Sequence, residues 1–233
     1  MTRDAFVAGE IDAVVFDVIG TMVDEDAAWE RVAAGVAAAA GVGAGELRRR
    51  WTALLDARMD AVVAGDAVWE PHRALVAASA EEAVSDLGGT PTAESSRLAA
   101  GLDRELRAWP EVAEATAALR RERLVAAVSN GDLDALARVA NASAISWDAV
   151  VSTGAVRTFK PAPAAYRYAI EVLDLEPSRT LFVAAHPWDL RAAASYGFRT
   201  AYVARPGAPR PSADDAFDLE VSDLAGLVAS LAG

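Results

Sequence analysis

The chain of 233 residues has no cysteine, a single lysine and two histidines. Without cysteine, disulfides, thiolate nucleophiles and Cys-based zinc sites are excluded together. His72 and His186 lie too far apart in sequence to form a paired metal motif. No run of about eighteen apolar residues occurs, which excludes a membrane-spanning helix. Nothing near the N-terminus combines a basic leader, an apolar stretch and a small-residue cleavage site, so a soluble, cytoplasmic protein is expected. Positive charge is scarce: 22 Lys and Arg stand against 34 Asp and Glu, a formal charge of −12. That balance argues against nucleic acid and against an anionic membrane as partners, although one pocket can still be locally cationic. There is no internal repeat, and no low-complexity tract beyond alanine richness.

What is present is a globular composition. With 53% hydrophobic and 24% charged residues, the chain can bury one full core, or one core and a smaller companion. Ile11 to Phe16 is short, β-branched and aromatic, as expected of a parallel strand covered on both faces. It ends abruptly in Asp17 and a Gly20-Thr21 turn. Read alone, Asp17 is either the cap of a following helix or an acid displayed at a strand's carboxyl end, where open α/β sheets bind ligands.

Residues 1–9 read as a loose leader. Beyond the first strand the texture is helical, with apolar residues at three- and four-residue spacing over Trp29–Ala40, Ala44–Ala64, Glu70–Leu87 and Thr92–Ala108. Gly41 to Gly43, Gly65 and Gly88-Gly89 fall at the breaks, and Asp26 and Thr92 are the expected N-caps. After Trp109-Pro110 helices alternate with strands. The strands are expected over Leu124–Val128, Asp148–Val151, Thr180–Ala184, Thr200–Val203 and Phe217–Val221. Helices are expected over Glu111–Arg121, Asp132–Ala140, Pro163–Leu173, Trp188–Tyr196 and Asp223–Leu231. Arg205 to Pro211 reads as a surface connection. This alternation predicts an α/β fold with a doubly wound parallel sheet. A helical-bundle insertion directly after the first strand would cover that strand's carboxyl end as a cap. The expected division is a core of residues 1–24 and 109–233 and a cap of residues 25–108.

Later strands also run into polar groups: Ser129-Asn130-Gly131 after one and His186-Pro187-Trp188-Asp189 after another. Between them Lys160-Pro161 carries the only lysine of the chain at the head of a helix. In this order, Asp17-Val18-Ile19-Gly20-Thr21, Ser129-Asn130-Gly131, Lys160-Pro161 and Ala184-Ala185-His186-Pro187-Trp188-Asp189 resemble the four motifs of the haloacid dehalogenase-like hydrolase superfamily. The branch most similar is that of the type II 2-haloacid dehalogenases, which carry a helical cap after the first strand.

The resemblance implies roles. Asp17 would be the nucleophile, Lys160 would balance its charge, Asp189 would be the acid of the fourth motif, and Thr21 would support the site. Ser129 and Asn130 would hold a substrate carboxylate, with Tyr166, His186, Trp188 and Ile19 around them. The reaction would be an in-line displacement of halide by the Asp17 carboxylate, forming an ester that water hydrolyses. Lysine keeps a carboxylate ionised when it lies within about 4–6 Å. The implied substrate is a small anionic organic acid, no cofactor or metal is expected, and cap surfaces in this family often make homodimers, although the sequence does not fix the assembly.

The chain departs from both patterns the superfamily offers. Phosphatases of this superfamily hold Mg²⁺ with a second acid two residues after the nucleophile and with acids four residues apart in the fourth motif. Here Ile19 and Ala185 replace two of these acids, and a hard cation prefers several oxygen ligands. The type II dehalogenases usually have Tyr where Ile19 stands and a cap Arg that accepts halide. Thr52 aligns with that Arg, and Arg50, or its neighbours Arg48 and Arg49, is the candidate stand-in. A phosphatase with an atypical metal site and a repurposed or non-catalytic relative therefore stand as alternatives. His186 could instead make only a supporting hydrogen bond, His72 could merely pack a cap helix, and Trp51, Trp69 and Trp188 could be plain packing. The Arg48 to Arg50 triplet reads equally as a solvated helix face, and Asp134 and Asp214-Asp215 as solvated acids.

Overall fold

The computed structural model describes residues 5–232; of the leader, residues 1–4 lie outside that range, and Ala8–Glu10 forms a single 3-10 turn. Strand β1 spans Ala13–Phe16. Four helices of the insertion follow: α1 Glu25–Ala40, α2 Ala44–Ala64, α3 His72–Asp86 and α4 Ala93–Ala99. Then come α5 Val112–Leu119, β2 Leu124–Ser129, α6 Leu133–Ser143, β3 Ala149–Ser152, α7 Pro163–Val172 and β4 Thr180–Ala184. The chain closes with α8 Pro187–Ser195, β5 Arg199–Val203, β6 Leu219–Val221 and α9 Leu224–Leu231.

The six strands form one parallel sheet in the order β3-β2-β1-β4-β5-β6. Strand alternation divides β1 between two cores. Ala13 and Val15 pack with Ala165, Tyr166 and Ala169 of α7 and Leu190 of α8. Val14 and Phe16 belong to the opposite core, with α5, α6 and α9, which continues into the four inserted helices. The sheet is therefore doubly wound, and β1 lies between β2 and β4 where the strand order reverses. A crevice beyond the strand ends opens at such a point.

The links between sheet and insertion run side by side. Val23 forms isolated bridges with Ile19 and Ala108, Asp24 N donates to Arg107 O at 2.8 Å, and Trp109 N donates to Met22 O at 3.1 Å. Inside the insertion, Trp51 is fully buried, stands edge-on to Trp29 at 4.8 Å, and donates its indole N–H to Val76 O at 2.8 Å. It is a packing residue.

Four local expectations are corrected. The N-cap of α1 is Asp24, accepting from Ala27 N at 3.0 Å, rather than Asp26, which lies in the first turn. Helix α4 stops at Ala99, because Gly101 interrupts the backbone and the chain continues as a 3-10 turn over Leu102–Glu105. Thr92 does cap α4, in a reciprocal box with Ser95. Arg205 is not surface: it is buried, donates to Thr21 O at 2.7 Å and Glu111 Oε1 at 2.6 Å, and lies over the Trp109 ring. Nor is Asp215 simply solvated, since Arg191 holds it with two hydrogen bonds. Asp134 is clasped by Arg73 and also paired with Arg138 on the surface.

Candidate active site

Asp17 follows β1 directly, and its N–H donates to Val183 O of β4 at 2.9 Å, which fixes the carboxylate at the switch point. The side chain is nearly buried, with both oxygens engaged. Oδ1 accepts from Lys160 Nζ at 2.7 Å, Oδ2 accepts from Thr21 Oγ1 at 2.7 Å, and His186 Nδ1 stands 3.1 Å from Oδ2. Thr21 Oγ1 in turn accepts from Ala185 N at 2.9 Å, tying the turn after β1 to the end of β4. Burial alone would push the Asp17 carboxyl up. The Lys160 charge, with the hydrogen bonds from His186 and Lys160, outweighs burial and holds it well below the usual carboxylate range. Asp17 is thus an anion with little solvent around it, the state a carboxylate nucleophile needs.

Lys160 bridges two acids. Its Nζ also donates to Asp189 Oδ2 at 2.5 Å, while Tyr166 OH donates to Asp189 Oδ1 at 2.6 Å. Burial would lower the Lys160 ammonium, but the charges of Asp17 and Asp189 raise it. The Asp189 carboxyl is held above its ordinary value by burial and by the Asp17 charge, against the pull of Lys160. Tyr166 is raised by burial and by the Asp189 charge, so its phenol stays protonated as a donor.

The donor set does not suit a divalent cation. The ammonium of Lys160 sits between the two acids that would have to bind it, and among the described residues no group of three or more His, Asp or Glu side chains could hold a metal.

A cavity of about 410 Å³ opens above Asp17, between the sheet and the inserted helices. Of the residues singled out by sequence, Asp17, Ile19, Thr52, Ser129, Asn130, Lys160, His186 and Trp188 line it. Asn130 spends its side-chain oxygen on Lys160 N at 2.7 Å and on Thr153 Oγ1 at 3.2 Å, which leaves its amide N–H groups as donors. Ser129 Oγ accepts from Gly131 N at 3.2 Å and still has a hydroxyl proton to donate.

Tyr166 and Arg50 are corrected as substrate-binding residues. Tyr166 is fully buried behind Asp189 and does not line the cavity. Arg50 donates to Asp86 at 2.7 Å on the outside of α2, because its position on the helix faces α3's end rather than the sheet. Arg48 pairs with Asp26 and Glu30. The triplet therefore brings no guanidinium into the main cavity, and Thr52 lines the wall there, its hydroxyl donating to Arg48 O at 3.0 Å.

His72, weighed from sequence only as a packing or substrate-touching residue, lines the cavity too, as do residues with no sequence signal. Glu25, in the first turn of α1, has its carboxyl raised by burial, against a 3.0 Å hydrogen bond from Trp29 Nε1. His72 is the first residue of α3 and packs edge-on to Phe159; burial lowers its imidazole. Arg73 also lines the cavity, with its guanidinium committed to Asp132 and Asp134. Asp132 caps α3 from across the molecule, accepting from His72 N at 3.2 Å and Arg73 N at 3.0 Å. The rest of the wall is largely apolar, including Leu55, Met59, Val76, Leu102 and Leu136.

Residues 11–197 match the model of the haloacid dehalogenase-like hydrolase family. Over 102 residues the chain is 42% identical to an (S)-2-haloacid dehalogenase of Xanthobacter autotrophicus, covering 43% of this chain and 40% of that protein. Over 109 residues it is 33% identical to (S)-2-haloacid dehalogenase 4A of Burkholderia cepacia, covering 46% and 47%. These matches span less than half the length of the curated relatives. Its fold is similar along nearly the whole chain to a crystal structure of an L-2-haloacid dehalogenase, with TM-score 0.85 and 31% identity over 95% of this chain and 99% of the other. The L-2-haloacid dehalogenase of Xanthobacter autotrophicus with chloropropionic acid covalently bound gives TM-score 0.80 and 26% identity over 96% and 99%.

Proposed function

This chain belongs to the haloacid dehalogenase-like hydrolase family, and we propose that it is a metal-independent hydrolase that releases halide from 2-halocarboxylates through an ester on Asp17. The observation that carries the reading is the Asp17 carboxylate, kept ionised by Lys160 at 2.7 Å and facing an apolar cavity. In that setting poor solvation sharpens the anion's attack on carbon, and the Lys160 charge opposes proton uptake. The substrate carboxylate is held by Ser129 and the Asn130 amide, which puts carbon 2 against Asp17. Lys160 and Thr21 hold Asp17 in position, and Asp189 and Tyr166 hold Lys160.

Residues 25–108 act as the cap and shape the substrate's tail. Leu55, Met59, Val76 and Leu102 offer an apolar wall well beyond the needs of a two-carbon acid, so an alkyl chain on carbon 2 gains contact there, about 0.8 kcal/mol for each buried methylene. With Thr52 in place of a cap guanidinium, the α2 wall offers the departing halide no cation of its own.

The test is halide release, with chelator present, from a series running from chloroacetate through 2-chloropropionate to 2-chlorohexanoate. The expected result is release without Mg²⁺, kcat/KM rising along the series, and none from Asp17→Asn. No halide from any member, or release that needs Mg²⁺, overturns the reading.

A further inference from the structure

The cavity over Asp17 is apolar along most of its wall, but one part of it carries two polar side chains that the proposed reaction does not use. His72, the first residue of α3, and Asp103, in the 3-10 turn after α4, both line it. The insertion supplies both residues, and the core sets the place of the first. His72 N and Arg73 N donate to Asp132 at 3.2 and 3.0 Å, and the His72 ring packs edge-on to Phe159, the residue before Lys160, with 6.5 Å between centroids.

The imidazole faces the cavity with its hydrogen bonding unspent. Only the main-chain N–H of His72 makes a hydrogen bond among the described residues, so neither ring nitrogen has a protein partner. Burial lowers the imidazole against the charges of Asp132 and Asp103. It is therefore neutral and offers one donor and one acceptor.

Asp103 has the complementary gap. Its Oδ1 is buried with no hydrogen-bond partner, and its Oδ2 stands 4.0 Å from an Arg138 guanidinium already paired with Asp134. Arg73 is no substitute, since its guanidinium is committed to Asp132 and Asp134. A buried carboxylate oxygen without a donor is costly. A plain alkyl tail that displaced water from this part of the wall would leave the carboxylate and the imidazole both without partners.

A hydroxyl answers both groups, because it donates to the carboxylate and accepts from the imidazole N–H. An ammonium would have to leave water for a wall otherwise made by Leu55, Met59, Val76 and Leu102, a cost that one carboxylate does not offset. We propose that His72 and Asp103 form a polar subsite for a hydroxyl on the substrate's tail, so that 2-halocarboxylates ending in a hydroxyl are taken in preference to plain alkyl ones. The inference rests on the dehalogenase reading above and narrows its substrate class: the apolar wall takes the methylenes, and the pair takes the group in which they end.

The experiment measures kcat/KM for halide release along a series from 2-chlorobutanoate to 2-chlorooctanoate, each acid with a methyl, a hydroxyl or an amine at its end, the hydroxy acids as open-chain carboxylates. Wild type, His72→Phe, His72→Gln and Asp103→Ala are compared. The readout is the ratio of hydroxylated to plain acid within one enzyme, so a general loss of folding or catalysis in a variant cancels. In wild type the ratio should reach about tenfold or more at one chain length. His72→Phe keeps a ring against Phe159 without its nitrogens; it and Asp103→Ala should each bring the ratio to one or below. His72→Gln, whose amide donates and accepts, should retain part of it. No hydroxyl gain at any length in wild type, or a gain that survives either His72→Phe or Asp103→Ala, overturns the subsite, and a larger gain from the amine overturns the choice of hydroxyl. Absence of halide from every acid defeats the dehalogenase reading, whereas halide from the plain acids with no hydroxyl preference defeats this inference alone.

Discussion

At the residue scale the site is an alternation of charge: Asp17, Lys160 and Asp189 in a line, closed by Tyr166. One buried ammonium serves two carboxylates, so removing it leaves two uncompensated acids. Lys160→Met should cost about 3–5 kcal/mol in chemical denaturation and abolish halide release. The pH dependence follows from the directions of the shifts. Asp17 is lowered on folding, so its contribution is present above the ordinary carboxylate range and lost as pH falls through its folded value. Lys160 is raised, so its contribution holds below the ordinary lysine range and is lost as pH rises through its folded value. The gap between wild type and Lys160→Met should be widest between those ranges and close towards acid. Much of this line was legible, because strand-end polar residues and a single lysine stand out against apolar runs. Glu25 was not: beside Asp24 and Asp26 it looks like an ordinary first-turn acid, and only the packing of α1 against the Gly20 turn buries it.

At the element scale, two small features separate stability from function. Thr92 caps α4 away from the cavity, so Thr92→Ala should lower stability by about 1 kcal/mol while leaving halide release unchanged. Gly20 has φ +77° and no room for a methyl beside His186 and Glu25. Gly20→Ala should cost about 1–2 kcal/mol in stability and displace the imidazole, reducing kcat by at least about tenfold, some 1.4 kcal/mol at the transition state. Strands of the sheet could be read from their β-branched runs, since burial on both faces admits little else. Helix ends were harder. Asp24 and Asp26 are equivalent as letters, and the choice of Asp24 depends on its N–H pairing with Arg107 O across the molecule. The burial of Arg205 escapes the sequence for the same reason: its Pro- and Gly-rich surroundings signal surface, while its partners Thr21 and Glu111 are distant in sequence.

At the scale of the whole molecule, the Asp17 carboxylate at the switch point of a doubly wound sheet is covered by helices inserted immediately after its own strand. The cavity exists because the insertion and the strand ends meet over Asp17, and its walls come from both. The order of elements announced this arrangement; the cavity's content did not follow from it, since Thr52 and Ile19 leave an apolar wall where polar groups were a fair expectation. In the proposed reaction Asp17, rather than water, attacks carbon 2. A single turnover in ¹⁸O-water, with enzyme in excess over 2-chloropropionate, tests it directly. Attack by Asp17 puts ¹⁸O in the carboxylate of residue 17 and leaves an unlabelled hydroxyl in the product. Label in the product hydroxyl with none in Asp17 would contradict it.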